Sequence, residues 1–538
     1  MNELLQLLAG NTLTRLVLFP AVACLPLLFF RRQAQRPIKV YALAVGLIEL
    51  LLTIGLVATR FQPGTGLAGL RDLGSDGQPL SWIPRFGIHF DLRMDGISMP
   101  LVLLTALLLP VVVLASWRGI ERHWKEYAIS LLLLITGVLG TLLALDLFLF
   151  YVFWEVMLVP MYLIIGVWGS DNRIYAAVKF FLFTMAGSLL MLVGILWMAW
   201  RVQQLTGEWA FGYDAFLALD LPLTEQLWLF AAFALAFAIK VPVFPLHTWL
   251  PDAHVEAPTG GSVILAGILL KLGTYGFLRF ALPLFPQASR ELAPWIITLA
   301  VVGILYGALV SWVQEDAKKL VAYSSVAHLG FVMLGIAAAS LMAWEGALIQ
   351  MVNHGLSTGA LFLLVGMLYE RLHTKRFDDL GGLARAMPWF AFFLVFSALA
   401  SVGLPLLNGF VGEFLILVGS WRAGLVWPTV LATFGVVLAA VYILKLLYRI
   451  LWGPLTAKAD HGVHDLTPRE IGILAPLALL MLLIGIAPER FLAPSRPDLE
   501  ATLERYRAAA AAAPPEVPRL RDAVGLAATD PGTGDETR

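Results

Sequence analysis

Residues 240–273 read KVPVFPLHTWLPDAHVEAPTGGSVILAGILLKLG, and this stretch decides the fold. An apolar segment leads up to Lys240, and a second apolar segment of membrane-spanning length surrounds Lys271. Three prolines interrupt the first segment, at Pro242, Pro245 and Pro251. Proline removes a helical hydrogen bond, and backbone groups freed in this way are tolerated at membrane depth only where protein or a water-filled cavity covers them. The stretch therefore predicts a broken membrane helix followed by another span, each with a buried lysine.

The composition of the whole chain is that of a membrane protein. Its 538 residues are 59% hydrophobic and 14% charged, with a mean hydropathy of +0.81, whereas a soluble domain is about 45–50% apolar and about 25% charged. These values exclude a soluble enzyme and a disordered chain. The net charge is zero, so nothing indicates a nucleic-acid partner. The single cysteine, Cys24, excludes iron–sulfur clusters, cysteine-rich zinc sites and internal disulfides.

Runs of about 20 apolar residues mark the segments that can cross a bilayer as helices. We predict an all-α polytopic membrane protein with about fourteen such helices. The predicted spans lie near 11–30, 38–59, 96–117, 127–145, 147–168, 176–200, 226–251, 261–282, 295–312, 319–339, 343–369, 388–419, 427–448 and 470–487. Lysines and arginines are concentrated in one set of alternate loops, which the positive-inside rule places in the cytoplasm. An even number of spans then puts both termini on the outer side.

Several ionisable side chains fall in the middle of predicted spans. They are Glu155, Lys240, Lys271, His328, His354 and Glu413. Because an ionisable group at the bilayer centre costs about 2.5–3.5 kcal/mol on insertion scales, such residues indicate function. One interpretation is a set of buried structural pairs, with Glu155 and Lys240 forming a fixed ion pair. The interpretation that we favour is a pathway for protons or ions, because these residue types gain and lose protons as neighbouring charges move.

A second interrupted helix is predicted at ASVGLPLLNGFVGEF, residues 400–414, where Gly403, Pro405 and Gly409 precede Glu413. Lys240 precedes its break, whereas Glu413 follows its own. Two broken helices in corresponding places of two halves are typical of transporters that are built from inverted repeats and carry a site at the membrane midplane. The alternative is a pair of ordinary proline kinks.

Four stretches resemble one known family. They are KVPVFPLHTWLPDAHVEAPTGGSVILAGILLKLG at 240–273, VQEDAKKLVAYSSVAHLGF at 313–331, NHGLSTGALFLLVG at 353–366 and GLPLLNGFVGEF at 403–414. All four resemble the antiporter-like subunits of respiratory complex I, and the likeness covers nearly all the predicted spans. The motif at 240–273 is highly specific. The segment after residue 491 and parts of the 60–95 loop fall outside the likeness.

The resemblance implies a role for each buried ionisable residue. Glu155 corresponds to the carboxylate that pairs with the lysine of the first broken helix, which is Lys240. Lys271 corresponds to the relay lysine of the next span. Glu413 corresponds to the acidic group of the second broken helix, where sibling subunits and multisubunit sodium/proton antiporters usually carry lysine.

The two histidines complete this implied pathway. His328 and His354 correspond to positions on the axis between Lys271 and Glu413. The resemblance thus implies a proton-translocating membrane subunit that couples NADH oxidation and quinone reduction to proton pumping. Two other functions stay open: a subunit of a multisubunit cation/proton antiporter without a redox partner, and a membrane scaffold whose buried charges only hold neighbours together.

The resemblance also implies two inverted five-helix repeats, and the sequence around them completes the predicted domain plan. The regions are N-terminal helices with an external loop (1–126), a first inverted five-helix repeat (127–282), a second (295–448), the last transmembrane helix region (449–490) and a polar, partly disordered external tail (491–538). No cofactor or metal site is expected in this chain. NADH, FMN, iron–sulfur clusters and quinone belong to partner subunits in this family. The expected partners are two antiporter-like siblings, small membrane subunits and the lipids of a bacterial inner membrane.

Overall fold

The computed structural model describes residues 11–74, 77–456 and 463–512, which form a bundle of long apolar helices. Of the helices in these residues, 13 are long and apolar enough to cross a membrane. The predicted all-α polytopic class is therefore confirmed. The end of the predicted polar tail, beyond residue 512, lies outside the described residues.

The helices are numbered here in chain order. Those of the first half are α1 (Thr12–Val22), α2 (Cys24–Phe29), α3 (Gln35–Arg60), α4 (Met99–Gly119), α5 (Trp124–Leu143), α6 (Leu147–Val156), α7 (Leu158–Trp168), α8 (Arg173–Thr206), α9 (Tyr213–Leu217), α10 (Leu223–Lys240), α11 (Trp249–Glu256) and α12 (Thr259–Leu284). Those of the second half are α13 (Pro286–Val313), α14 (Ala317–Ala337), α15 (Leu341–Leu372), α16 (Leu383–Ala386), α17 (Pro388–Val402), α18 (Asn408–Arg422), α19 (Val426–Leu451), α20 (Pro468–Ile486), α21 (Glu489–Leu492) and α22 (Arg496–Ala511).

Four short strands occupy the long loop between α3 and α4. They are β1 (Leu70–Arg71), β2 (Leu80–Ile83), β3 (Ile88–Phe90) and β4 (Arg93–Met94). β1 pairs with β4 and β2 pairs with β3, both antiparallel. The loop is thus a small folded cap at one end of the bundle.

The difference between fourteen predicted spans and 13 long helices has one cause. The predicted span 388–419 is two helices of 15 residues each, α17 and α18, separated by a turn. Gly403 and Leu406 in that turn have positive φ angles of 85° and 74°, which an α-helix cannot contain. Each half is too short to cross a bilayer alone. The predicted break is therefore present.

The most buried helices lie at the centre of the bundle. The apolar window of α12 is buried along its whole length, and those of α14 and α15 are buried nearly so, whereas α3, α8, α19 and α20 bury less than half of theirs. Because a polar side chain in contact with lipid is costly, central helices are where such groups can be covered by protein. The buried lysines and histidines of α12, α14 and α15 follow this rule.

Two consecutive sets of five crossings make up most of the bundle. The first set contains α5, α6–α7, α8, α10–α11 and α12, and the second contains α13, α14, α15, α17–α18 and α19. Since five is odd, the second set begins at the end of the bundle opposite to where the first begins. In each set the fourth crossing is two helices separated by several residues that include proline, whereas α6 and α7 are separated by Met157 alone.

The bundle has two ends that differ in what covers them. We name the end formed by loops 119–123, 169–172, 314–316, 373–387 and 463–467 the basic face. The end that carries the strands and α22 is the tail face. α22 packs on the tail face because Leu499, Leu503 and Tyr506, spaced at one helical turn, are all buried. The part of the predicted external tail up to residue 512 is therefore docked on the bundle.

Candidate functional site

Lys240 is the last residue of α10, and the break that follows it fixes its position. Pro242 has no amide hydrogen and a positive φ of 30°, so the helix cannot continue. The chain becomes helical again at Trp249, whose Nε1 donates a 2.9 Å hydrogen bond to the carbonyl of Ile239. This bond satisfies one of the carbonyl groups that a helix end leaves free. Lys240 thus lies at a helix end inside the bundle, with 2% of its surface exposed.

The ammonium group of Lys240 lies against aromatic rings. Its Nζ atom is 5.3 Å from the ring centroid of Trp154 and 5.7 Å from that of Phe180. The negative face of an aromatic ring attracts a cation. Trp154 directly precedes Glu155 on α6, so one helix brings both an aromatic face and a carboxylate towards the lysine.

Glu155 lies near the end of α6, where the chain passes into α7, and its side chain is half-buried. Its charge interacts with that of Lys240. Its buried Oε1 atom has no hydrogen-bond partner within the part of the chain that the structure describes. The carboxylate and the lysine are therefore close enough for their charges to interact. The direct contact that the resemblance implies stays a prediction.

Asp146 fixes the start of α6. Its carboxylate accepts hydrogen bonds from the backbone amides of Phe148 (3.0 Å), Leu149 (3.1 Å) and His89 (2.9 Å). Burial raises the pKa of this carboxyl to about 6, and the hydrogen bonds from the amides oppose that rise. Asp146 lies in the turn between α5 and α6, and it anchors the helix that carries Glu155.

Lys271 lies on α12 between two π-helical turns, Leu265–Leu269 and Phe277–Ala281. A π turn changes the pairing of backbone carbonyls, and such turns are frequent at functional sites. The Nζ atom of Lys271 donates to the carbonyl of Ala266, five residues earlier. It also lies 2.6 Å from Nδ1 of His354 on α15. The lysine side chain is wholly buried.

Two histidines and Glu413 continue the row away from Lys271. The rings of His354 and His328 meet edge to face, with centroids 5.8 Å apart. Nδ1 of His328 lies 2.9 Å from Oε1 of Glu413, and all three side chains are buried. Four of the residues that the sequence singles out therefore form one row of contacts across α12, α15, α14 and α18.

The hydrogen bonds assign protons to the ring nitrogens. When Glu413 is a carboxylate it only accepts, so Nδ1 of His328 then donates to it, and Nε2 accepts from the hydroxyls of Ser401 and Tyr442, both at 3.3 Å. When Nζ of Lys271 donates to Nδ1 of His354, the proton of a neutral ring lies on Nε2. This Nε2 atom has no hydrogen-bond partner among residues 11–74, 77–456 and 463–512. With this assignment, Nε2 is a buried donor without an acceptor among those residues.

Two amide side chains hold Glu413 in this row, and the sequence analysis missed both. Nε2 of Gln350 donates to Oε1 of Glu413 at 3.2 Å. Nδ2 of Asn353 donates to Oε1 of Gln350 at 3.2 Å and to the carbonyl of Asn408, the first residue of α18, at 2.7 Å. The signal was available, since two amides one turn apart interrupt the apolar run of α15 just before His354.

Lys240 and Lys271 lie on helices whose backbones touch. A Cβ atom at Gly273 would lie 2.6 Å from the carbonyl oxygen of Phe237 and 2.9 Å from the backbone nitrogen of Val241. Only glycine fits there without a shift of α10 or α12. No hydrogen bond of the described residues joins the two lysines. Glu155 and Lys240 therefore form a first group, and the row from Lys271 to Glu413 forms a second.

Two further buried basic groups were also missed. His254 on α11 stacks on Phe362 with ring centroids 4.5 Å apart, and neither ring nitrogen has a hydrogen-bond partner in the part of the chain described. Nζ of Lys318 donates to the carbonyl of Ala257 at 2.6 Å. His254 follows three prolines and reads as a loop residue. Lys318 stands beside Lys319 at the edge of a predicted span, where a solvated pair is ordinary.

The described residues contain no group of three or more His, Cys, Asp or Glu side chains arranged to hold a metal ion. What the site offers is a set of groups that bind and release protons, covered by protein, between two broken helices. A buried row of this kind defines a membrane protein that translocates protons or small cations.

Comparison with known proteins gives the family. The family described as "NADH:quinone oxidoreductase/Mrp antiporter, TM" matches residues 144–439, and the chain belongs to this family. A protein of Pseudomonas aeruginosa called "NADH-quinone oxidoreductase subunit M" is 50% identical over 416 residues, which are 76% of this chain and 81% of that protein. The resemblance found in the sequence is confirmed.

Solved structures agree with this assignment. A chain of "Respiratory complex I from Thermus thermophilus with bound NADH" has a TM-score of 0.82 and 33% identity, covering 92% of this chain and 99% of that one. A chain of the "Mrp complex from Dietzia sp. DQ12-45-1b" has a TM-score of 0.78 at 21% identity, covering 93% and 99%, and at that identity it shows the shared fold alone.

Proposed function

We propose that this chain, a proton-translocating membrane subunit of an NADH-quinone oxidoreductase, moves protons through Glu155, Lys240, Lys271, His354, His328 and Glu413. The observation that carries the proposal is the row of buried contacts from Lys271 to Glu413. Lysine, imidazole and carboxylate are the side chains suited to exchanging protons, and the cost of burying them in a membrane favours a function over chance.

The first step belongs to Glu155 and Lys240. With the carboxylate close, the lysine ammonium is stabilised by the opposite charge and by the faces of Trp154 and Phe180. When a change in the neighbouring subunit withdraws or neutralises Glu155, the ammonium is left in a medium of low dielectric constant. It then gives up its proton towards Lys271.

The second step runs along the row. Nζ of Lys271 donates to Nδ1 of His354, and the proton on Nε2 of that ring leaves towards His328. The ring of His328 then delivers its Nδ1 proton to Glu413, from which it is released on the tail face. Bridging water between Lys240 and Lys271, and between the two rings, completes the row where side chains do not touch.

The redox chemistry belongs to other subunits. NADH, FMN, iron–sulfur clusters and quinone are bound by partner subunits, and this chain carries the proton pathway. Its partners in the membrane arm are two antiporter-like siblings and small membrane subunits, together with lipids. The complex lies in the bacterial inner membrane, with both termini of this chain on the periplasmic side. A membrane scaffold, one of the two other functions that the sequence left open, predicts loss of assembly and not of transport when the buried lysines change.

Lys240→Met tests the pathway. The variant removes the charge and keeps much of the apolar stem. We expect proton pumping by the intact complex in proteoliposomes to fall about tenfold or more, because the proton loses its carrier at this position. A tenfold fall corresponds to a barrier higher by about 1.36 kcal/mol. NADH oxidation with an artificial acceptor should be kept, since it uses only the partner subunits.

The matched control is Lys319→Met, which changes an exposed lysine at the basic face. It should pump as the unchanged complex does. If the Lys240 variant assembles fully and pumps at the control rate, Lys240 is not in the pathway. If it fails to assemble, the scaffold function is favoured.

A further inference from the structure

One side of α4 is open to the membrane. The helices α5, α12, α15, α20 and α3 surround α4 and pack against it. Neighbours in this ring also pack against each other, but no comparable packing joins α20 to α3 in the part of the chain that the structure describes. Between residues 101 and 116 of α4, only Leu103, Leu107 and Leu114 are partly exposed, and their spacing puts them on one side of the helix. The gap between α3 and α20 is therefore a groove with these leucines on its floor, which we name the α4 groove.

The α4 groove is apolar and runs along the direction in which a lipid tail lies. Gly46 of α3 packs so closely on α4 that a Cβ there would lie 3.1 Å from the backbone nitrogen of Pro110, so α3 forms a firm wall. From Leu103 to Trp117 the floor extends about 21 Å, at a rise of about 1.5 Å per residue. One leaflet occupies about 15 Å, half of a hydrocarbon core of about 30 Å. The groove therefore has the length and the apolar lining to hold an acyl chain.

Positive charges lie together where the α4 groove meets the basic face. Lys39 near the start of α3, Arg118 at the end of α4 and Arg469 at the start of α20 belong to the three helices that form the groove. Nζ of Lys39 donates to the carbonyl of Trp117 at 2.7 Å, which holds the ammonium group at the end of α4. The charge of Arg469 repels those of Lys39 and Arg118. Three like charges are thus close neighbours at the depth of lipid headgroups.

The carboxylates nearby do not neutralise these three cations. Glu470 is bound through both its oxygens by Arg371, at 2.7 Å and 3.0 Å, and Arg469 approaches it only to 3.8 Å. Glu370 also attracts Arg469, but one carboxylate cannot balance three cations. Nη1 of Arg469 has no hydrogen-bond partner among the described residues. Because like charges near a membrane repel one another strongly, an anion at this end of the groove would stabilise the cluster.

An apolar groove with cations at one end matches an anionic phospholipid, which has a negative headgroup and apolar chains. We propose that the α4 groove binds an anionic phospholipid from the leaflet on the basic face, with its headgroup at Lys39, Arg118 and Arg469 and an acyl chain along α4. An apolar helix of another subunit would fit the floor but would leave the three cations without a counter-charge. The site shares no residue with the proposed proton pathway, so the two proposals stand or fall separately.

The test uses the intact complex in phosphatidylcholine nanodiscs that contain a small fraction of a phospholipid with a photoreactive acyl chain. Phosphatidylglycerol is the anionic probe, and phosphatidylcholine with the same chain is the zwitterionic one. After irradiation, mass spectrometry of peptides measures the labelling of α4. We expect phosphatidylglycerol to label α4 at least about fivefold more, because each lysine or arginine near the membrane surface strengthens the binding of an anionic lipid about fivefold.

Lys39→Gln and Arg118→Gln each remove one cation, and each should lower the labelling by phosphatidylglycerol about fivefold while the labelling by phosphatidylcholine stays the same. Arg376→Gln is the matched control, because it removes an exposed cation of the basic face that pairs with Asp378, and it should change neither. Should Lys39→Gln not assemble, Arg118→Gln decides alone, since it changes an exposed side chain.

Three results would overturn the inference. The first is equal labelling of α4 by the two lipids, and the second is labelling by phosphatidylglycerol that the assembled variants leave unchanged. The third is no labelling of α4 at all. In that case, cross-links from α4 to another subunit would show that a protein helix fills the groove.

Discussion

Glu413→Gln asks whether the charge at the end of the buried row is needed for proton transfer. Glutamine has the same length and still accepts at Oε1, so the contacts with His328 (2.9 Å) and Gln350 (3.2 Å) are retained. Only the negative charge is lost. A hydrogen bond to a charged group contributes about 1.5–3 kcal/mol, against about 1 kcal/mol for a neutral pair. The hydrogen bond between His328 and residue 413 should therefore be weaker by about 1–2 kcal/mol.

Proton pumping by the whole complex in proteoliposomes, driven by NADH and a quinone, measures the effect. We expect it to slow about tenfold, while NADH oxidation with an artificial acceptor is unchanged. Glu345→Gln is the matched control, because Glu345 is a buried carboxylate on α15 that pairs with Arg496 near the tail face and lies outside the row. Normal pumping by an assembled Glu413 variant would refute the role of the charge.

Two further predictions concern stability. Gly273→Ala places a Cβ 2.6 Å from the carbonyl oxygen of Phe237, so it should destabilise the protein by about 1–3 kcal/mol and lower its thermal midpoint in detergent. The control Gly472→Ala, whose Cβ meets nothing within 4 Å, should leave the midpoint unchanged. Equal midpoints for the two variants would contradict the tight contact. The pKa of Asp146 is raised from 3.8 to about 6, so the free energy of unfolding should fall by about 3 kcal/mol as the pH rises from 4 to above 6 and should then level off. Asp146→Asn keeps a side-chain oxygen that caps the helix and should remove this pH dependence. If the pH dependence is the same in the variant, it arises from other groups.

Much of the site could be predicted from the sequence because burying an ionisable group in a membrane is costly. Lys240, Lys271 and Glu413 stand out in long apolar runs, and the prolines and glycines beside two of them mark the breaks. The cost argument needs no knowledge of which helices are neighbours. It therefore finds the residues and leaves their partners undetermined.

The partners depend on packing that the sequence does not display. Gln350 and Asn353 are uncharged, so their presence in a span costs less and attracts less notice. Arg279 lies near the end of a predicted span, and the structure buries it against Asp95, a residue of the loop before α4 that is distant in sequence. The π turns of α12 have no sequence signal either, since every residue in them is an ordinary helix former or a glycine.

The residues of the row from Lys271 to Glu413 lie on four different helices, so small movements between helices change the contacts of the row. Its two hydrogen-bonded contacts measure 2.6 Å and 2.9 Å, and a hydrogen bond is effectively lost beyond about 3.5 Å. A sliding of α15 against α12, or of α14 against α18, by roughly 1 Å is enough to open a contact. The row is therefore sensitive to very small helix movements, because a displacement too small to change the packing of the bundle as a whole is large enough to form or break one of its hydrogen bonds.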